Sequence, residues 1–211
     1  MIGWHSQPAR IRRGFTLLEL LAVIAIIAII TVAVVPAVTG PLRSSNLTNG
    51  SLALMDTLNL ARQTALTNNS PVEVRIYKTG GATSPTDLQY RAYRLFSVDA
   101  NNNKQALGTL KHLTEPVIIS SGTTLSSLMA GRSGNSVQPE DYPVPDNTAY
   151  IWFRFRPNGG TDLTPVEGTG SNWFLTLLLE NAPTTGTAGL PANYFTIQID
   201  PVTGRARSFR P

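Results

Sequence analysis

The sequence predicts an α+β protein: a long N-terminal helix, half transmembrane and half amphipathic, packed on a β-rich globular domain. Three observations predict it. Residues 15–35, FTLLELLAVIAIIAIITVAVV, are apolar almost throughout. From Leu47 to Leu66, apolar residues recur at helical spacing. Beyond Pro71 the apolar period falls to two, the period of a half-buried strand.

The apolar run comes first. Phe15 to Val35 is 21 residues, and a helix of that length spans roughly 30 Å, the hydrocarbon thickness of a bilayer. Arg10, Arg12 and Arg13 precede it. That asymmetry predicts a cytoplasmic N-terminus and a translocated C-terminal part. Glu19 is the anomaly, because a carboxylate inside a membrane helix costs on the order of 2–3 kcal/mol unless it finds a partner. Three readings compete. A cleaved secretory signal would have a shorter apolar region, with a weak small-residue site near Val35-Pro36-Ala37. A plain signal anchor gives Glu19 no purpose. A helix cut at its start would supply a new amine for Glu19 to neutralise.

The second segment runs from Leu47 to Asn69. Leu47, Leu54, Met55, Leu58, Ala61, Ala65 and Leu66 mark one buried face, with Asn49, Asp56, Asn59, Arg62 and Gln63 elsewhere. Asn68-Asn69-Ser70-Pro71 stops it. It reads as the lower half of one long helix, interrupted near Gly40-Pro41 and laid against the domain.

Strands follow. In Val72-Glu73-Val74-Arg75-Ile76, Val, Val and Ile point one way and Glu and Arg the other. Gln89 to Val98 is a second strand, and Leu107 to Ser120 holds one or two more, with Pro116 at an edge or break. Ile151, Phe153 and Phe155 alternate with Trp152, Arg154 and Arg156. Trp173 to Glu180 is apolar enough to be central. Tyr194–Asp200 and Arg205–Phe209 flank a turn-rich Pro201-Val202-Thr203-Gly204 and read as a hairpin. The connectors 79–87, 120–147, 158–172 and 181–193 are long and rich in small residues.

Composition narrows the function classes. The 211 residues contain no cysteine, which excludes a disulfide framework and thiolate metal sites. The formal charge of +4 sits largely before the apolar run: beyond residue 14 there are 14 basic and 13 acidic side chains. No catalytic constellation stands out, and neither a metal site nor a cofactor is expected. His5 and His112 stand apart, and no His/carboxylate spacing suggests zinc. Asp99-Ala100-Asn101-Asn102-Asn103 resembles an oxygen-ligand calcium loop but lacks its glycine and distal glutamate. Glu140-Asp141 reads as a solvated loop pair. No glycine-rich loop leads from a strand into a helix to cradle phosphate.

Two sets of residues carry a resemblance. Gly14-Phe15-Thr16-Leu17-Leu18-Glu19 after Arg12-Arg13 resembles the class III signal of type IV pilins and pseudopilins. The resemblance implies a cut between Gly14 and Phe15 by a prepilin peptidase, with Phe15 then N-methylated. It also implies a kinking proline at Pro36. Cleavage would place an ammonium at Phe15, and in a filament each subunit could offer it to the Glu19 of a neighbour, where low dielectric makes the pair attractive and either charge alone costly. Further on, Phe153-Arg154-Phe155-Arg156-Pro157-Asn158-Gly159-Gly160 and Gly204-Arg205-Ala206-Arg207 are similar to minor pseudopilins of the FimT/GspH type. That implies two antiparallel sheets packed on the long helix. The 120–147 connector is longer than this resemblance leads one to expect.

The organisation expected is a leader at 1–14, a transmembrane and assembly helix at 15–38, an amphipathic half at 42–69 and a β-rich domain at 71–211. The function expected is a minor pseudopilin-like or pilin-like subunit, not an enzyme, in a type II secretion or type IV pilus-like filament. Its partners would be the prepilin peptidase, other pilin or pseudopilin subunits and the bacterial inner membrane, crossed once with the globular domain periplasmic. The alternative is a DNA-binding minor pilin: on one strand face, Arg205 and Arg207 would sit about 7 Å apart and could contact successive phosphates. Against it, alternating arginines also keep a hairpin's outer face wet. A third reading is a secreted enzyme whose signal resembles a pilin's by chance, with a mature N-terminus near Val38.

Overall fold

The computed structural model describes residues 15–134, 141–164, 173–180, 182, 184–185 and 189–211, without the side chains of 32–39, 132, 184 and 185. The leader at 1–14 with Gly14 and His5, the side chain of Pro36, and Glu140 therefore lie outside the described residues. The chain divides into two units, Met1–Leu42 and Arg43–Pro211.

One helix, α1 (Leu17–Thr67), contains both segments that the sequence separates at residues 38–42, and its assignment has no gap at Gly40-Pro41. A proline removes one backbone donor, which bends a helix more readily than it ends one. In the first unit every described residue from Phe15 to Thr31 is exposed. Among the described residues no helix is long and apolar enough to cross a membrane. The described side chains of the apolar run end at Thr31, so the expected span to Val35 lies partly outside them. At its other end α1 closes as expected. Asn69 turns left-handed (φ 48°), and the Ser70 amide reaches back to the Ala65 carbonyl at 3.3 Å, a Schellman ending.

The second unit is the β-rich domain. Its strands are β1 (Val72–Thr79), β2 (Gln89–Val98), β3 (Lys104–His112), β4 (Val117–Ile119), β5 (Arg132–Gly134), β6 (Tyr150–Phe155), β7 (Trp173–Leu179), β8 (Thr184–Thr185), β9 (Leu190–Pro191), β10 (Tyr194–Ile199) and β11 (Ala206–Phe209). All pairings are antiparallel. The α+β class is borne out. In place of the two sheets expected, the described strands form one nine-stranded sheet: the order β11-β10-β7-β4-β2-β1-β6-β5 is continuous, β3 pairs β2, and β8-β9 form a separate ribbon. The strand that joins its parts is β2, which is ten residues long. One of its edges bonds β1 throughout, while the other takes β4 at Tyr90 and β3 from Ala92 onward. The 120–147 connector contributes a short 3₁₀ turn (Ser127–Ala130) and β5, neither of which has a periodic signal.

Within this unit Leu47, Leu54, Leu58, Ala61 and Ala65 of α1 are fully buried against Val74, Ile76, Phe153, Phe155, Leu175 and Ile197 of the sheet. Met55 is half-buried, and Leu66 is exposed rather than part of that face. Each buried leucine contributes about 1.5–3 kcal/mol.

The opposite face of β1 departs from expectation. Glu73 and Arg75 do point away from Val72, Val74 and Ile76, but they are 2% and 1% exposed. Residues 141–150 cover them, with Val144 and Tyr150 packed around Tyr77 and Phe96. The physical consequence is a buried charge cluster. Arg75 Nε donates to Glu73 Oε1 at 2.7 Å, and Arg75 Nη1 donates to Asp141 Oδ2 at 2.6 Å. The Tyr77 hydroxyl donates to Asp141, and Arg154 Nε donates to Glu73 Oε2 at 2.8 Å. Asp141 is fully buried, not a solvated loop residue. Among the described residues two carboxylates face two guanidiniums, and such pairing is how buried charge is tolerated. Arg75 also lies over the Phe96 ring at 4.5 Å and the Tyr150 ring at 5.1 Å. Burial disfavours the Arg75 charge, but Glu73 and Asp141 outweigh it and hold its pKa above the ordinary value. Burial, then the bond to Asp141, pushes the Tyr77 phenol up as well.

Candidate functional site

The site begins at the helix start. Phe15 is exposed, and Thr16 is the last residue before α1. The Glu19 amide donates to Thr16 Oγ1 at 3.2 Å, and Glu19 Oε2 accepts from both the Thr16 amide and its hydroxyl, each at 3.2 Å. This is a reciprocal capping box. It corrects the reading that a plain anchor leaves Glu19 purposeless, because the carboxylate caps its own helix. The signal was in the sequence as Thr16-Leu17-Leu18-Glu19, a threonine followed three residues later by glutamate, and the sequence reading passed over it. Among the described residues Glu19 Oε1 accepts no hydrogen bond.

The second set of candidate residues is at the C-terminus. Gly204 and the Asn158-Gly159-Gly160 turn, far apart in sequence, meet in the fold. Gly204 (φ 65°) is left-handed, and a side chain there would strike the Gly159 carbonyl, the Phe155 ring and Arg62. Arg62 of α1 binds both turns: its Nε donates to Thr203 O at 2.8 Å and to Gly159 O at 3.1 Å. The Thr161 amide donates to Pro201 O at 2.9 Å. The two motifs that looked separate are thus one junction between helix and sheet, and the glycine of Gly-Arg-Ala-Arg is there for close packing.

The arginines divide. Arg205 and Arg207 are exposed. Arg207 stands opposite Gln198 and Ala206 opposite Ile199, so Arg207 shares the outer face and Ala206 the core face. Arg205 precedes the first residue of β11. Asp200 offsets part of this charge: backbone donation from Thr203, and more weakly Arg207, hold its carboxyl below the usual range. Arg210 is engaged elsewhere, donating to Thr48 Oγ1 at 2.7 Å, Ser44 Oγ at 3.0 Å and Asn193 Oδ1 at 3.2 Å.

The remaining candidates resolve simply. Asp99 accepts from the Asn101 amide, the Asn103 amide and Asn103 Nδ2 at 2.9, 2.7 and 2.8 Å. It closes its own loop, and those bonds, the Asn103 side chain first, lower its pKa. His112 is exposed at the end of β3. Among the described residues no group of three or more His, Cys, Asp or Glu could hold a metal.

Comparison with known proteins adds to this geometry. Residues 9–35 match the family model of the prokaryotic N-terminal methylation motif, so the recognition made on Gly14 to Glu19 stands. Two solved structures of the minor pseudopilin EpsH from the type II secretion system of Vibrio cholerae are similar to this chain at 10% and 11% identity. They cover 79% and 80% of it and 98% and 96% of their own chains, with TM-scores of 0.42 and 0.45. The type IV minor pilin FimU of Pseudomonas aeruginosa is similar at 10% identity, covering 79% of this chain and 89% of its own, with a TM-score of 0.42. No curated protein matches the chain.

Proposed function

We propose that the chain is a minor pseudopilin-like or pilin-like structural subunit of a type II secretion or type IV pilus-like filament. The observation that carries this is the methylation motif over residues 9–35, which includes Gly14, Phe15 and Glu19. On this reading a prepilin peptidase cuts between Gly14 and Phe15 and Phe15 is methylated. The apolar start of α1 enters the bacterial inner membrane once, its N-terminus cytoplasmic and the β-rich domain periplasmic. Its exposed leucines and isoleucines, Leu17 at 87% and Ile29 at 72%, are covered first by lipid and then by the helices of other subunits. Glu19 acts twice. One oxygen caps α1, and the other accepts the Phe15 ammonium of a neighbour, so that two charges in a low dielectric neutralise each other and fix the register.

The test is N-terminal sequencing and intact mass of the purified protein. It should begin at Phe15 and be heavier by one methyl group; any other start sinks the reading. Glu19→Ala should still be inserted and cleaved but should be depleted from filament preparations. Undiminished incorporation would remove Glu19 from assembly.

One observation favours a second reading, a DNA-binding minor pilin: Arg205 and Arg207 are exposed with Phe209 beside them at 52% exposure. It requires a salt-dependent DNA mobility shift by the purified chain, lost in Arg205→Ala with Arg207→Ala.

A further inference from the structure

We propose that the open edge of β11 receives an extended segment of another protein, alternating apolar and acidic residues, which joins the sheet as a further strand. This goes beyond the filament reading and does not depend on it.

β11 ends the sheet. Among the described residues it pairs with β10 and with no other strand, in unbroken register from Ala206 to Phe209. The register fixes which backbone groups face outward. The Asp200 amide donates to Arg205 O at 3.0 Å, so residues 200 and 205 form a bonded pair. In an antiparallel ladder bonded and non-bonded pairs alternate. Arg207 and Phe209 therefore direct their backbone groups at β10, whereas Ala206 and Ser208 direct their amides and carbonyls away from it. Among the described residues nothing bonds these outward groups, so the edge is a template for pairing. Arg207, Ser208 and Phe209 are all exposed, and solvent reaches the edge.

α1 forms a wall beside it. Arg62 donates to Thr203 O and Arg210 donates to Thr48 Oγ1, so β11 runs antiparallel to α1 along the stretch from Arg62 back to Thr48. Thr48, Met55 and Arg62 are seven apart, two helical turns each, and share one flank. Leu52 adjoins that flank, four residues after Thr48 and three before Met55. It is 44% exposed, and Met55 is half-buried. A strand added outside β11 would turn alternate side chains toward this flank, on the face of Ala206 and Ser208, and the others toward the face of Arg207. Its backbone would supply affinity and its alternate side chains specificity.

Charge selects the occupant. Arg205 and Arg207 are exposed, and among the described residues neither forms an ion pair. Asp200 Oδ1 is engaged by the Val202 and Thr203 amides at 2.9 and 3.1 Å. An acidic residue opposite Arg207 makes a cross-strand pair of opposite charge. The same rule disfavours a second copy. The antiparallel register that joins Ala206 of one copy to Ser208 of another sets Arg207 opposite Arg207, and like charges directly opposite are destabilising. Repulsion thus bars self-pairing while an acidic strand is admitted. DNA would answer the arginines but not the outward amides and carbonyls. Beyond residue 14 the chain holds 14 basic and 13 acidic side chains, a weak footprint for nucleic acid.

The probe is a labelled, capped hexapeptide alternating glutamate and valine. Its lysine–valine counterpart, and a form N-methylated at the valine amides, are the controls. Each is titrated into the full-length protein in non-ionic detergent and followed by fluorescence anisotropy. The acidic peptide should bind saturably, weaken with salt, and lose at least tenfold in affinity to Arg207→Glu, which should take the lysine peptide instead. N-methylation keeps the charge and apolar surface but removes the strand's donors, and should also cost at least tenfold. So should Ser208→Pro, which deletes an outward amide that β10 does not use and is tolerated at an edge. Absence of binding, equal binding of the acidic and lysine peptides, or undiminished binding of the N-methylated form overturns the proposal. Self-association abolished by Ser208→Pro would assign the edge to a second copy and overturn it equally. So would a DNA shift lost in Arg207→Glu when no peptide binds, which would assign the arginines to nucleic acid.

Discussion

Replacing Asp141 with alanine tests the least expected feature of the fold. In the native cluster Asp141 accepts from Arg75 and from the Tyr77 hydroxyl, and it is fully buried. Alanine removes one of the two described carboxylates that pair with Arg75, itself 1% exposed. It also leaves the Tyr77 hydroxyl without its acceptor, worth about 1–3 kcal/mol by itself. Removing one partner of a buried pair costs about 3–5 kcal/mol. For a chain of this length, 1 kcal/mol moves Tm by about 2–4 °C, so Asp141→Ala should melt roughly 6–20 °C below the wild type. The assay is thermal unfolding of the full chain in detergent, followed by near-ultraviolet circular dichroism, which reports the Tyr77 and Tyr150 environment. Adding Arg75→Met to Asp141→Ala removes the guanidinium left with one partner fewer and should return part of the loss. If Asp141→Ala lies within about 1 kcal/mol of the wild type, as for an exposed ion pair, the cluster is solvated and the reasoning fails.

Two further predictions follow from the same structure. Gly204→Ala should destabilise more than Gly108→Ala, although both sites are left-handed at φ 65° and 78°. Space around Gly108 is open, whereas a side chain at Gly204 meets the Gly159 carbonyl. The shared strain is about 1–2 kcal/mol, and equal urea midpoints for the two variants would show that the junction is loose. The raised Tyr77 pKa gives a pH dependence with a definite sign. The fold favours the neutral phenol, so this contribution is complete below the unfolded tyrosine value near pH 10 and is lost as pH rises beyond it. Half-buried Tyr90 and buried Tyr93 act in the same direction. Tyr77→Phe should therefore flatten the fall in urea midpoint between about pH 9 and 11; an unchanged slope would refute the assignment.

The N-terminal segment was legible because its signals are local. A glutamate in an apolar run and arginines just before it lie within a few residues of one another, and their meaning is set by covalent spacing and solvent alone; the capping box is equally local, but was passed over. Strand alternation was legible for the same reason: Val72, Val74 and Ile76, or Ile151, Phe153 and Phe155, declare a face without reference to the rest of the chain. Helical spacing likewise marked the buried face of α1, and only Leu66 left it.

What the sequence could not declare was the neighbour of each face. Alternation says that Glu73 and Arg75 point away from the core, yet only the folded chain brings residues 141–150 over them and makes Asp141 a counter-ion of Arg75. The joining of β1, β3 and β4 in one sheet through β2, and the meeting of Gly159 with Gly204 beside Arg62, are decisions of the same kind. Each depends on contacts between residues far apart in the chain, whose geometry is fixed by loop closure and packing. Local period therefore determined which elements form. Tertiary structure alone decided which charges are dry and which arginines face solvent, because those outcomes depend on residues far apart in the chain.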